Sequence, residues 1–233
     1  MSPLNAADVV ERVRGVAAAA ANNCLLGSMI AMILPTTITC VGILANDGTG
    51  DFLPALAVFD IFGAFIALPL LIAFFVYRSR ERHAENHMIF KRYGGPQTVA
   101  NIINAANYQQ IYRDKYFLFT PTYIMKPNDY TTFMPTSCML LACKEDRRGQ
   151  AMTMLLTGPL IAAAIYGNKP AGLFLAAYNC YGDRVDYAFG GRTDGSQIDL
   201  LVNMIQPYAP QCAIGDSPLT RAYLAQNTRI PPM

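Results

Sequence analysis

Asp60 and five cations, Arg78, Arg80, Arg82, Lys91 and Arg92, have the clearest capacity for chemistry in this 233-residue chain. Asp60 is the one formal charge within two long apolar stretches, residues 24–45 and 52–77. An ionisable group in such a setting is costly to keep from water. It therefore marks a polar contact in an assembly or a proton- or ion-linked site. The competing explanation is that Asp60 pairs with Thr36, Thr37 or Thr39, or reaches water about 10 Å from its helix start. The five cations follow the second apolar stretch directly. Beside an anionic lipid surface each contributes around 1 kcal/mol of attraction, and the same charges also set membrane orientation.

His83 and His87 are the only histidines, spaced four apart, so on one helix both could face a metal with Glu81 and Glu85. No cysteine or third histidine is close by, and a solvated helix face explains them more simply. The six cysteines, at 24, 40, 138, 143, 180 and 212, form no Cys-x-x-Cys pair. They read as small buried apolar residues, with neither a zinc site nor a disulfide framework supported. Nucleophile-elbow, phosphate-loop, His-Glu-x-x-His and dinucleotide signatures are all missing from the sequence. With 15% charged residues there is little material for acid–base work. The expectation is a non-enzyme with no cofactor and no metal, and a net charge of +2 gives no reason to expect nucleic acid as a partner.

The elements that position these residues start with the apolar stretches. Each is long enough to cross a hydrocarbon core of roughly 30 Å at 1.5 Å per helical residue. Asn46-Asp47-Gly48-Thr49-Gly50-Asp51 joins them, a polar, glycine-rich link suited to two antiparallel helices meeting at one membrane face. Pro35 and Pro69 fall inside the helices as kinks or packing sites. The cations after residue 77, against an acidic link, place residues 78 onward in the cytoplasm. A hairpin returns to its starting side, so residues 1–23, with Arg12 and Arg14, are cytoplasmic too. About twenty residues precede the first stretch, and no cleavable signal peptide is expected. Residues 7–21 read as a separate short helix along the membrane surface, with Val9, Val10, Val13 and Val16 roughly on one face.

Beyond the cations, Pro96 opens a helical pattern carried by Val99, Ile102, Ile103 and Ala106. From about Gln109 the period changes to two. Short strands are expected over 111–119 with a polar turn at its centre, then 122–125, 130–134 and 138–143. Two more, 172–180 and 185–189, flank the turn Tyr181-Gly182-Asp183-Arg184. A helix over 194–206 follows, capped by Asp194 and striped by Ile198, Leu201, Val202 and Ile205. A last amphipathic piece covers 218–226. Residues 152–167 are apolar but broken by Gly158-Pro159, and read first as an insertion packed on the domain or dipping into the membrane surface, then as a buried strand pair, then as a third crossing.

Meandering antiparallel strands followed by one strong helix resemble a pleckstrin-homology-like (PH-like) domain. The stretch Tyr116-Phe117-Leu118-Phe119-Thr120-Pro121-Thr122-Tyr123-Ile124 is similar to the strand-turn-strand element of bacterial PH-like membrane proteins. Phe133-Met134-Pro135-Thr136-Ser137-Cys138-Met139-Leu140 resembles their next segment, and Ile214-Gly215-Asp216-Ser217 their close. The resemblance covers roughly residues 94–228 and implies a regulatory or assembly module in a bacterial inner membrane.

The expected architecture is thus an α+β membrane protein. A cytoplasmic segment, 1–23, precedes a two-helix transmembrane hairpin, 24–78, and a basic juxtamembrane segment, 79–93. A PH-like antiparallel β domain, 94–228, is closed by a C-terminal helix, and a tail spans 229–233. Two functions fit: a membrane-anchored interaction or regulatory module, or a subunit of a multi-protein transport or secretion complex. The partners expected are membrane lipids and either a second copy of the chain or other membrane proteins.

Overall fold

Long apolar runs make up most of the first two helices. The computed structural model describes residues 3–45, 52–106, 109–147, 172–189 and 195–229. Helix α1 (Ala6–Ala45) is continuous for 40 residues. The separate short helix expected over 7–21 is therefore corrected. The alanine run 17–21 and Asn22-Asn23 contain no proline or glycine, so helical hydrogen bonding carries straight through. Its start is fixed by a reciprocal cap in which Asp8 N donates to Asn5 Oδ1 and Asn5 N to Asp8 Oδ2, each at 2.9 Å. Helix α2 (Phe52–Arg82) has 31 residues and carries Pro69 within it.

Two compact units divide the chain. The first, Val10–His87, holds most of α1 and all of α2. Small residues bring these helices together. Ser28 Oγ donates to Ala67 O at 3.3 Å, and Gly27 lies against Leu70. The large side chains point away, with Phe65 74% and Ile72 57% exposed. Two helices in the described residues, over Ala6–Leu34 and Gly63–Arg82, are long and apolar enough to cross a membrane. After Arg82 the backbone leaves the helix at His83, and Ala84–Asn86 forms a 3-10 turn. The two histidines therefore do not share a helical face, which corrects the metal-facing spacing. His83 instead lies 4.0 Å from Glu85, both exposed.

The second unit, Met88–Met233 with Met1–Val9, is an α+β body. Short helix α3 (Met88–Arg92) leads to Gly94 and Gly95, whose φ angles of 81° and 98° turn the chain into α4 (Pro96–Ala105). The amino-terminal segment is tied to α4. Leu4 N donates to Asn104 Oδ1 at 3.0 Å and Asn104 Nδ2 to Leu4 O at 2.8 Å.

Strands β1 (Tyr112–Arg113), β2 (Leu118–Phe119), β3 (Tyr123–Lys126) and β4 (Asp129–Pro135) form an antiparallel meander. Its turns follow their residues. Asp114 Oδ1 accepts from the amides of Tyr116 and Phe117, and Asn128 takes a φ of 64° in the β3–β4 turn. The second sheet has the order β7-β6-β5-β8. Strands β5 (Met139–Asp146), β6 (Leu173–Asn179) and β7 (Arg184–Phe189) are antiparallel, whereas β8 (Ala213–Ile214) runs parallel to β5.

Helix α5 (Ser196–Ile205) begins from Gly195, at φ 93°, with no side-chain cap. The cap position is thus Gly195, a left-handed glycine that turns the chain into the helix, one residue after the Asp194 expected there, which lies outside the described residues. Its stripe of Ile198, Leu201, Val202 and Ile205 is buried with Phe117, Phe119, Ile124, Leu175 and Tyr187, so both sheets and α5 share one core. Helix α6 (Pro218–Asn227) starts with a Ser217–Thr220 capping box and places Leu224 against Leu141, Cys143 and Tyr178 on the other face of the second sheet. Covered on both faces, β6 is buried at all seven positions. The apolar stretch 152–167 lies outside the described residues.

Candidate functional site

Asn179, at the end of β6, organises the most built-up polar site in the α+β unit. It is 3% exposed. Its Oδ1 accepts from the amides of Tyr181 and Asp183 at 2.9 Å each, which shapes the β6–β7 turn. Its Nδ2 donates to Tyr93 Oη at 3.0 Å and Asp183 Oδ2 at 3.2 Å. All these groups would be expensive to bury alone, so the network holds only when complete. Burial, opposed in part by the Asn179 bond, keeps the Tyr93 hydroxyl protonated far above its ordinary range.

Asp183 in turn holds Arg92, whose Nε is 2.9 Å from Oδ2 and whose Nη2 donates to Oδ1 at 3.2 Å. The Nε–H does not aim along the line to its near oxygen, leaving it without a hydrogen bond. The guanidinium also lies 5.3 Å from the Tyr181 ring centre. Arg92, Lys91, Tyr93, Gly94, Ile102, Pro135, Ser137, Cys138 and Tyr181 line an open cleft of about 460 Å³. Its charge is modest because Asp183 neutralises Arg92, which leaves exposed Lys91 as the net cation of the lining.

The remaining sequence-derived candidates are distributed as follows. Arg78 pairs with Glu81 one helical turn on, and Arg80 sits 5.5 Å from the Tyr77 ring centre. Arg82 is exposed in the last turn of α2. These three belong to the helical unit, whereas Lys91 and Arg92 belong to the α+β unit. Asp60 lies on α2, and its side chain is outside the described ones.

Sequence reasoning missed a second cluster, on the α6 side of the second sheet. Arg147, 6% exposed, pairs with Glu145 and Asp186; Arg184 pairs with both at 2.7 Å. Arg221 bonds Asp216 at 2.6 Å, and Tyr178 Oη accepts from Arg184 and Arg221 at 3.0 and 2.8 Å. The i, i+2 pairs Glu145/Arg147 and Arg184/Asp186 were the available signal, since such residues share a strand face. Only the register across β6 reveals that the two pairs meet.

Cys143, Glu145 and Asp216 offer ligand atoms within 4.8 Å of one another. They suit a metal poorly. Both carboxylates are engaged by arginines, and burial, with Asp216 and Glu145 nearby, pushes the Cys143 thiol up to about 11. Arginine occupies the place a cation would take.

Cys138 and Cys180 are the other unforeseen pair. Each lies one step beyond the Met139↔Asn179 pair, and burial together with the neighbouring Cys138 pushes the Cys180 thiol up to about 11. Cys143, Cys180 and Cys212 are buried, as small apolar residues should be, but Cys138 is part-exposed on the cleft. Among the described residues the cleft brings no general base to a nucleophile. Comparison of the chain with protein families, curated proteins and solved structures finds no match.

Proposed function

We propose that this protein is a membrane-anchored, non-catalytic interaction module in which a helical hairpin holds an α+β domain at the cytoplasmic leaflet. The observation that carries this is the inverted exposure of α1 and α2. Leu26, Ile33, Phe65, Ile66 and Ile72 are more than half exposed on helices whose small residues face inward. In water such surface is unfavourable by roughly 25 cal/mol per Å², and lipid removes that cost. The Leu4–Asn104 bonds support the hairpin topology. Segments that bond to each other lie on one side of a bilayer, so an even number of crossings separates them.

The PH-like reading rests on element order: a four-stranded meander, three antiparallel strands, then α5. Strand β8 and helix α6 extend beyond that order. Lipid attraction falls mainly to Arg80, Arg82 and Lys91, because Arg78 and Arg92 are paired with Glu81 and Asp183.

The full chain should stay in the membrane fraction through an alkaline carbonate wash and leave it only with detergent. Release by carbonate would overturn the anchoring. Exchange of residues 24–78 for an unrelated hairpin should preserve the proteins that co-purify in mild detergent. Their loss would favour the complex-subunit function, in which the helices themselves make the contacts.

A further inference from the structure

We infer that Cys138 and Cys180 form a closable dithiol, a modification site at which exchange with a small disulfide produces an intramolecular cross-strand disulfide. The inference stands on the α+β unit alone and does not depend on membrane anchoring. Three observations carry it. The residues flank the end of the β5–β6 ladder, because Met139↔Asn179 is its last pair and each cysteine lies one step beyond it. Cys138 closes a 3-10 turn (Thr136–Cys138) and Cys180 opens the β6–β7 turn, so a bond between them would span the end of the ladder. The Cys138 thiol is also near enough to Cys180 to help burial push the Cys180 thiol up. Access is also asymmetric: Cys138 is part-exposed on the cleft, whereas Cys180 is 4% exposed.

That asymmetry sets the order of steps. Cys138 loses its proton to solvent and its thiolate attacks one sulfur of the small disulfide. A mixed disulfide forms on Cys138, and the first small thiolate leaves and takes up a proton. Cys180, whose thiol burial pushes up to about 11, then gives up its proton and attacks the Cys138 sulfur. The Cys138–Cys180 bond forms as the second small thiolate departs and is protonated. Two protein thiols are oxidised and one small disulfide is reduced to two thiols. The new bond would clamp the entry of β5 to the exit of β6, next to the turn through which Asp183 holds Arg92.

The test uses the full chain in detergent, folded, with glutathione disulfide as the probe. Intact mass should fall by two hydrogens without a retained adduct, and peptide mapping should link Cys138 to Cys180. In Cys180→Ser the reaction should stop at a glutathione adduct on Cys138. In Cys138→Ser adduct formation at Cys180 should be at least tenfold slower than at Cys138 of the other variant. The wild-type measurement needs no substitution, so misfolding of a variant leaves the proposal testable. A persistent adduct on wild-type Cys138, or a link through Cys143 or Cys212 instead, would overturn it.

Discussion

Asn179 carries more polar obligations than any neighbour in its turn, and its loss has a calculable effect. Asn179→Ala removes the Oδ1 that accepts from two backbone amides and the Nδ2 that donates to Tyr93 and Asp183, leaving those partners short of a bond. The expected destabilisation is about 2–4 kcal/mol. The chain has no tryptophan, so denaturant unfolding of the detergent-solubilised protein is best followed by circular dichroism. A loss under about 0.5 kcal/mol, typical of surface positions, would show that the turn does not depend on this side chain. Cys212 makes a pH prediction. Burial raises its thiol from 9.0 to about 12, so the folded chain keeps a proton that the unfolded chain releases. Stability is full below pH 9 and falls as pH rises toward 12, by about 1.4 kcal/mol per pH unit for this group. Cys212→Ala should make the alkaline decline shallower by that amount; an unchanged slope would contradict the assignment. Neither residue was legible as special in the sequence. An asparagine before a glycine turn is ordinary, and Cys212 has no second cysteine nearby in the sequence to give it a spacing.

Among the elements, the ones read well were those whose signal is local. Pro96 sits at the start of α4, and Tyr181-Gly182-Asp183 separates β6 from β7. The stripe of α5 was legible for the same reason, since burial at helical spacing writes itself into residue type. Strand β8 was not. Two residues carry no period, and their place beside β5 follows from tertiary packing. The continuity of α1 was also missed, because a change from amphipathic to uniformly apolar composition suggests a boundary that the backbone has no reason to make. Adjacent leucines test α5. Leu201 is fully buried and Leu200 is 55% exposed. Leu201→Asp should destabilise the α+β unit by at least about 4 kcal/mol through an unpaired buried charge, and Leu200→Asp by under about 0.5 kcal/mol. Similar melting shifts for the two would show that the wrong face had been assigned to the core.

At the scale of the molecule, apolar composition marks where the long helices lie, and exposure adds that their large side chains face outward. If the hairpin spans a bilayer with both ends in the cytoplasm, a protease site inserted at Thr49 should be cut in intact spheroplasts. One appended after Met233 should be cut only after lysis. Cleavage of the carboxyl-terminal site in intact spheroplasts would require an odd number of crossings. The Leu4–Asn104 bonds add a matter of timing. The two residues are 100 positions apart, so at roughly 5–20 residues per second Leu4 leaves the ribosome about 5–20 s before its partner. During that interval both long helices are synthesised while the amino-terminal segment has nowhere to dock. The α+β unit is therefore unfinished throughout hairpin synthesis, and its last amino-terminal contact forms only after the helices have emerged. Stalling translation before Asn104 emerges should leave residues 3–9 open to protease, and release of the stall should protect them.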